Sequence, residues 1–220
     1  MIEFKVFLNS VTLLTVGGGV PEVHGADVVF VKLSGENGAE PYIPGSSVKG
    51  ALRTSTTRIA RHYGFTACGE IEPSRIKRAH SAKGICDVCR LFGYPDQRGG
   101  NSSPLFVSDF KLVVGSVKPE LVTRVGLDRK RLIALEGALY TVEHLPPGTL
   151  FEGLIGLREE AVDLLPLLLL GMAELRMSAF GRRSLVDMKI EDAGLLNKYI
   201  QDKWRPLLQG LREWLWEGIV

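Results

Sequence analysis

At 220 residues, with 45% hydrophobic and 24% charged positions, the chain has the make-up of a globular protein able to bury one sizeable core or two small ones. Its longest apolar run, residues 164–173, contains Pro166 and falls well short of a bilayer span, so no membrane partner is expected. The net charge of +2 hides an asymmetry: residues 45–131 hold 16 Lys and Arg against 7 Asp and Glu, the rest 11 against 18. A basic middle on an acidic frame suits a polyanion held at one surface, although solvated lysines and arginines give the same count.

Residues 2–16 alternate as one long strand, with Ile2, Phe4, Val6 and Leu8 sharing a parity and a break near Asn9-Ser10 that reads as a bulge. Glu3 and Lys5 lie inside this pattern, so no signal peptide is expected and a cytoplasmic location follows. Gly17, Gly18 and Gly19 come next. Three glycines hold neither strand nor helix; they make a plain surface turn or a place where backbone passes close to a ligand. Asp27 stands beside the Gly25 turn, at the entrance to a strand over residues 28–33. A carboxylate there is most simply a turn former; it is also able to hold a divalent metal or orient a water near a scissile phosphate. His24, close by, has no motif partner.

Residues 41–53 read as a short strand, a tight turn through Pro44-Gly45 and the first turn of a helix. Ser46 or Ser47 is suited to cap that helix, and a helix N-terminus with free N–H donors attracts anions. Lys49 and Arg53 share one face, Val48, Leu52 and Ile59 form an inward apolar stripe, and Gly50 leaves room for a ligand. The stretch is a phosphate cradle or a capped amphipathic helix with solvated basic residues. It is not a Walker loop, because the Gly-Lys-Ser/Thr order is missing. The helix is expected to end near residues 62–64, with Gly64 in the C′ position.

Residues 65–103 show no helical or strand period, and so long a loop needs an ordering device. Cys86-Asp-Val-Cys89 brings two thiolates to one tetrahedral ion, and His80 and Cys68 complete four ligands for a structural Zn2+ with no open position. A redox Cys-x-x-Cys competes but lacks a thioredoxin-like context; free cysteines are the other reading. Arg75, Lys77, Arg78 and Lys83 lie in the same loop, as a nucleic-acid-facing surface or as solubilising charge.

A strand over 104–115 precedes a charge-rich stretch, 117–136, and two strands, 138–145 and 149–157, around Pro146-Pro147-Gly148. An apolar helix over 159–177 tolerates Pro166 only near its first turn or at a kink. A last strand spans 184–190. An amphipathic helix, or two joined at Pro206, covers 193–218, where Trp214 and Trp216 cap the core or mark a subunit contact. Strand–helix–strand twice over, with insertions at 64–103 and 116–137, fits an α+β fold: one ferredoxin-like (RRM-like) domain over 1–220, the pattern used by RNA-recognition folds.

Ile43-Pro-Gly-Ser-Ser-Val-Lys-Gly-Ala-Leu-Arg53 resembles the signature of the RAMP (repeat-associated mysterious protein) superfamily, and most of all the repeated backbone subunit of type III CRISPR–Cas interference complexes. The Cys/His loop closing on Leu91-Phe92-Gly93 and the phrase from Leu139 to Phe151 resemble the same family. Met177-Ser-Ala-Phe-Gly-Arg-Arg183 stands where the superfamily usually has a glycine-rich segment, here with Gly181 alone.

The resemblance implies that guide RNA lies along Gly17, Gly18 and Gly19 and is held by Gly45, Ser46, Ser47, Lys49, Gly50 and Arg53. It implies a β-hairpin thumb at 116–137, with Arg124, Arg129, Lys130 and Arg131 on phosphates and Val125, Leu127 or Leu132 wedged against bases. Gly25-Ala26-Asp27 matches the element whose aspartate is needed for target-RNA cleavage, which implies a metal-dependent endoribonuclease using Mg2+ or Mn2+. Val28-Val29 departs from the small polar residue and proline that often follow. The implied partners are guide RNA, target RNA, copies of the same chain in a filament and other type III subunits. The alternatives are a non-catalytic scaffold of the same complex, a capping subunit, or a guide-processing ribonuclease. The last lacks an evident paired His/Tyr acid–base site.

Overall fold

Strand β1 (Ile2–Ser10) is the spine of the structure, a computed structural model that describes residues 1–18, 26–35, 38–95, 103–113 and 117–217. Ile2, Phe4, Val6 and Leu8 point into the core at 5% exposure or less, as their shared parity predicts. The strand stops at Ser10 rather than running on to residue 16. There the Ser10 hydroxyl donates to the Pro146 carbonyl, and the Gly148 amide to the Ser10 carbonyl, which turns the chain aside.

Along the chain follow β2 (Lys32–Gly35), β3 (Gly38–Ile43), α1 (Gly45–Ile59), α2 (Pro73–Lys83), α3 (Asp87–Phe92), β4 (Leu105–Val107) and β5 (Phe110–Leu112). The second half holds β6 (Glu120–Asp128), β7 (Ile133–His144), β8 (Leu150–Leu157), α4 (Leu165–Leu175), β9 (Ala179–Phe180), β10 (Ser184–Ile190) and α5 (Arg205–Gly210). One curled antiparallel sheet runs β2-β3-β5-β8-β1-β10-β9, with β4 also on β8; β6 and β7 form a separate two-stranded ribbon. Val48 and Leu52 of α1 join the almost wholly buried α4 in one apolar cluster with β1, β8 and β10. Each fully buried leucine there contributes about 1.5–3 kcal/mol.

Strand β10 and the apolar α4, with Pro166 in its first turn, agree with the sequence reading. Gly64 adopts φ +81 at the end of the single 3-10 turn that follows α1, the C-terminal glycine expected there. Three further expectations need correction. Among the described residues of 65–103 there are two helices; α2 buries only Ile76, so it leaves no periodic stripe to read. The strand over 104–115 is split in two by Ser108-Asp109, because Asp109 turns away to the start of α1.

The C-terminal stretch is short helical turns rather than one amphipathic helix. Pro206 opens α5 and Gly210 closes it, freeing carbonyls for other partners. The buried Arg176 guanidinium donates to Asp187 and to the carbonyls of Gly210 and Glu213, and Asp187 accepts from the Trp216 amide. A continuous helix would consume those carbonyls itself.

Candidate nucleic-acid interface and metal centre

The exposed flank of α1 and the backbone of residues 15–17 and 178–182 enclose a cleft of about 410 Å³ lined by Gly17, Ser47, Gly50, Thr54, Arg58 and Arg182, among others. Its far wall depends on Gly181, at φ +53, where a Cβ would sit 2.3 Å from the Thr15 carbonyl oxygen. The Arg182 amide donates to that same oxygen at 3.2 Å, so the turn is pinned with Arg182 at the cleft. A Cβ on Gly50 would meet nothing within 4 Å, and Ser46 is exposed beside it. Gly17, Ser47 and Gly50, three of the residues that the resemblance assigns to guide RNA, thus line one cleft; Gly19 lies outside the described residues.

Other residues of that stretch are used differently. Neither Ser46 nor Ser47 caps α1: Pro44 holds the cap position, and the Asp109 carboxylate accepts from the Gly45 amide at 2.8 Å. The anion that this helix end attracts is the protein's own. Gly45 is buried under the β4–β5 turn, a Cβ there falling 2.3 Å from the Val107 carbonyl oxygen. Lys49 donates to the Ser103 hydroxyl at 2.9 Å and the Leu105 carbonyl at 2.7 Å. Burial, then the charge of Arg53, holds its pKa below the usual lysine range. Arg53 donates to the Gly93 carbonyl at 2.9 Å and reaches Cys89 Sγ at 3.5 Å. The i, i+4 spacing does put the two cations side by side, but on the flank covered by the cysteine loop. They tether that loop.

The four metal-type ligands converge. Cys68, His80, Cys86 and Cys89 place their ligand atoms within 4.8 Å of one another, with Cys68 Sγ 3.7 Å from Cys89 Sγ. Both ring nitrogens of His80 are buried and find no hydrogen-bond partner among the described residues, an arrangement that costs free energy unless one of them ligates an ion. Donation from Cys89 pulls the Cys86 thiol down to about 4, favouring the thiolate that binds metal. The donor set and spacing fit a closed tetrahedral site. Thr66 and Asp87 hold the loop shut by exchanging amide and side-chain hydrogen bonds at 2.7–2.8 Å.

Asp27 stands where residues 26–31 thread between residues 16–18 and the base of the β6–β7 ribbon. Gly18 and Val31 pair with Val29 and Val16 on one side; Val28 pairs with Thr141 and Glu143 on the other. The exposed Asp27 carboxylate accepts at Oδ2 from the Thr141 amide at 2.6 Å and the Thr141 hydroxyl at 3.1 Å. Those two bonds, the amide first, hold its pKa below the ordinary carboxylate value. Asp27 belongs to no cluster of three or more metal-type ligands among the described residues. Nearby Glu143 accepts instead from the Phe30 amide and Lys32.

The ribbon presents much apolar surface. Leu127, Leu132 and Leu139 are 60%, 84% and 68% exposed. Val125 pairs with Leu139 and Thr123 with Thr141, so Val125 and Leu139 share the ribbon face that Asp27 abuts. Arg129 is exposed near the tip and Arg131 lies within 4.0 Å of Asp128, whereas Arg124 reaches back to His144 Nε2 at 3.3 Å.

Sequence reasoning missed His144. The Thr15 hydroxyl spends its proton on the Glu143 carbonyl at 2.7 Å, so His144 Nδ1, 2.6 Å away, is the donor and Nε2 accepts from Arg124. Burial, then Arg124 and Arg182, lowers its pKa. A histidine kept neutral in the fold takes up a proton more readily when unfolded, so stability falls as pH drops through about 6.5. Melting curves from pH 7.5 to 5.5 are expected to show this acid loss, reduced in His144→Gln.

Arg58 and Arg182 thus line the cleft on one flank of α1, and the thiolate–imidazole loop lies against the other. The chain belongs to the RAMP superfamily, whose model matches residues 7–185. No curated protein sequence matches it significantly. Among solved structures it is similar in fold to a chain of the type III-B Cmr-beta complex bound to cognate target RNA, with TM-score 0.50 and 14% identity over 74% of this chain and 87% of that one.

Proposed function

We propose that this chain is an RNA-holding backbone subunit of a type III CRISPR interference complex. In this reading the palm is ferredoxin-like, which the central order β5-β8-β1-β10 with α1 and α4 as crossovers supports, since RNA-recognition folds use the β-α-β-β-α-β pattern. One observation carries the reading. Gly17, which lines the cleft with Ser47, Gly50, Arg58 and Arg182, is bridged to Phe30 in the same short segment that bears Asp27. On this proposal RNA backbone lying in the cleft runs on past the aspartate at the ribbon's base.

In this reading the cleft holds guide phosphates, Val125 and Leu139 part the guide–target pairs, and Arg129 and Arg131 meet phosphates farther out. Copies of the chain follow one guide beside other type III subunits, in the cytoplasm, and sequence is read by base pairing rather than by the protein. Asp27, with a divalent metal carried largely by RNA phosphates and water, cuts the paired target. A structural Zn2+ on Cys68, His80, Cys86 and Cys89 supplies the cross-link that ties α2 and α3 together.

The test is Gly50→Asp. Open space at Gly50 admits the side chain without a clash, yet it sets a carboxylate in the cleft. Guide-RNA affinity is expected to fall about tenfold or more, with a steep salt dependence in the wild type. Lys49→Ala, by contrast, is expected to lower the melting temperature first. Unchanged RNA affinity in Gly50→Asp sinks the assignment of this cleft.

A further inference from the structure

Beyond the first cleft, a second of about 430 Å³ lies along the same helix, lined by Arg58, Ile59, His62, Tyr63 and Glu174. Arg58 lines both, so the two clefts meet at one guanidinium. Both volumes lie within the usual range of ligand sites, about 300–1,000 Å³. From residue 45 to residue 63 the chain has Lys49, Arg53, Arg58, Arg61 and His62, and no Asp or Glu. Lys49 and Arg53 are turned to the cysteine loop, while Arg61 donates to the Ala67 carbonyl. Arg58 and His62 remain at the clefts. Among the described residues Glu174 is the one acid lining the second cleft, outnumbered there and able to accept from a ribose hydroxyl.

The far end of this path is aromatic. Tyr63 is 50% exposed, and its ring rests on Trp204 at 5.9 Å between centroids, tilted by 50°. Trp204 is itself backed by Phe65 at 6.2 Å and covered by the Lys203 ammonium at 5.3 Å. Tyr63 is therefore held by a packed partner while much of its surface stays open. A fixed, half-exposed ring at the end of a basic groove is what an unpaired base needs for stacking, and such stacking contributes about 1–3 kcal/mol per base. From Ser47 to Tyr63 the helical rise spans about 24 Å, room for several nucleotides.

We propose that single-stranded RNA leaving the first cleft continues past Arg58 and His62 and stacks a base on Tyr63. This rests on the RNA-holding reading above and extends it to a second subsite. The stack needs a flat ring, so Tyr63→Phe keeps it and Tyr63→Leu does not.

The experiment uses the full chain and a fluorescein-labelled oligouridine of about twelve nucleotides carrying 4-thiouridine. Tyr63→Leu is expected to weaken binding about fivefold or more, from the lower end of the stacking range, while Tyr63→Phe restores it. Photocrosslinks should map to the tryptic peptide that begins at His62. Wild-type binding that is sensitive to Gly50→Asp, indifferent to Tyr63→Leu and without a crosslink there overturns this subsite and leaves the first cleft standing. No binding by the wild-type chain overturns both.

Discussion

Purified protein is expected to carry about one zinc per chain, and Cys89→Ser to lose it together with the order of the loop it closes. Cys89 is the ligand with the most to lose. It is fully buried, its sulfur faces Cys68 Sγ at 3.7 Å, and Arg53 brings a guanidinium to it at 3.5 Å. Three thiolates and one imidazole around Zn2+ carry a net negative charge, which that guanidinium offsets. With zinc bound, Arg53 would support the Cys89 ligand from outside, and such partners are typically worth about 10–100-fold in metal affinity.

The consequence should be large. Structural zinc contributes about 10–16 kcal/mol of apparent binding energy in small zinc-finger peptides. Here the Thr66–Asp87 exchange and the packing of Leu91 and Phe92 hold part of the loop without metal, so a fraction of that is expected. A chelator strong enough to remove the ion should lower the melting temperature and open residues 66–93 to protease, whereas α4 and β1 stay protected. Arg53→Ala should weaken zinc in a chelator competition while leaving all four ligands in place. Metal analysis that finds no zinc in freshly purified wild type ends this account, and Lys49 and Arg53 then anchor a loop ordered by side chains alone.

What the sequence showed and what it hid divide along the range of the interactions. Strand β1 was legible because Ile2, Phe4, Val6 and Leu8 answer to one core, and α4 because its apolar run is buried on nearly every side. The Cys/His cluster was legible because four residues of two rare types stand close together in the chain. Helix α2 was not, since it buries only Ile76. For Lys49 and Arg53 the spacing was readable, but not which flank would face RNA. That depends on Gly93, Ser103 and Leu105 lying against α1, contacts 40 to 56 positions away. The partners of Asp27 and His144 are more distant still: Thr141 lies 114 positions from Asp27, and Thr15 lies 129 from His144. Nothing local signals either pair. The helix N-terminus misled for a related reason, because Asp109 supplies the anion from 64 positions downstream.

Asp27→Ala is expected to leave guide binding intact and to reduce target-RNA cleavage by at least about 10²-fold, equivalent to roughly 2.7 kcal/mol of transition-state stabilisation. The carboxylate is exposed, so its removal leaves no cavity, and its backbone stays paired through Val28 to β7. Thr141 sets the group's direction. Amide and hydroxyl both hold Oδ2, and among the described residues Oδ1 is left for a metal or its water. The same bonds keep the acid ionised at and well below neutral pH. Thr141→Val removes the hydroxyl bond and retains the amide bond. It should cost less than Asp27→Ala, about tenfold, shift the acid limb of the cleavage profile upward as the carboxyl pKa rises toward its ordinary value, and be rescued by Thr141→Ser. A purely structural Thr141 would move neither the pH profile nor its rescue. The comparison belongs in a reconstituted complex, with products sized on a gel, because the target strand is presented only when paired to the guide. If the Asp27→Ala complex still releases fragments of regular spacing, the chemistry lies elsewhere and the chain is a scaffold. Loss of cleavage with unchanged guide binding would separate the aspartate from the cleft that positions RNA before it.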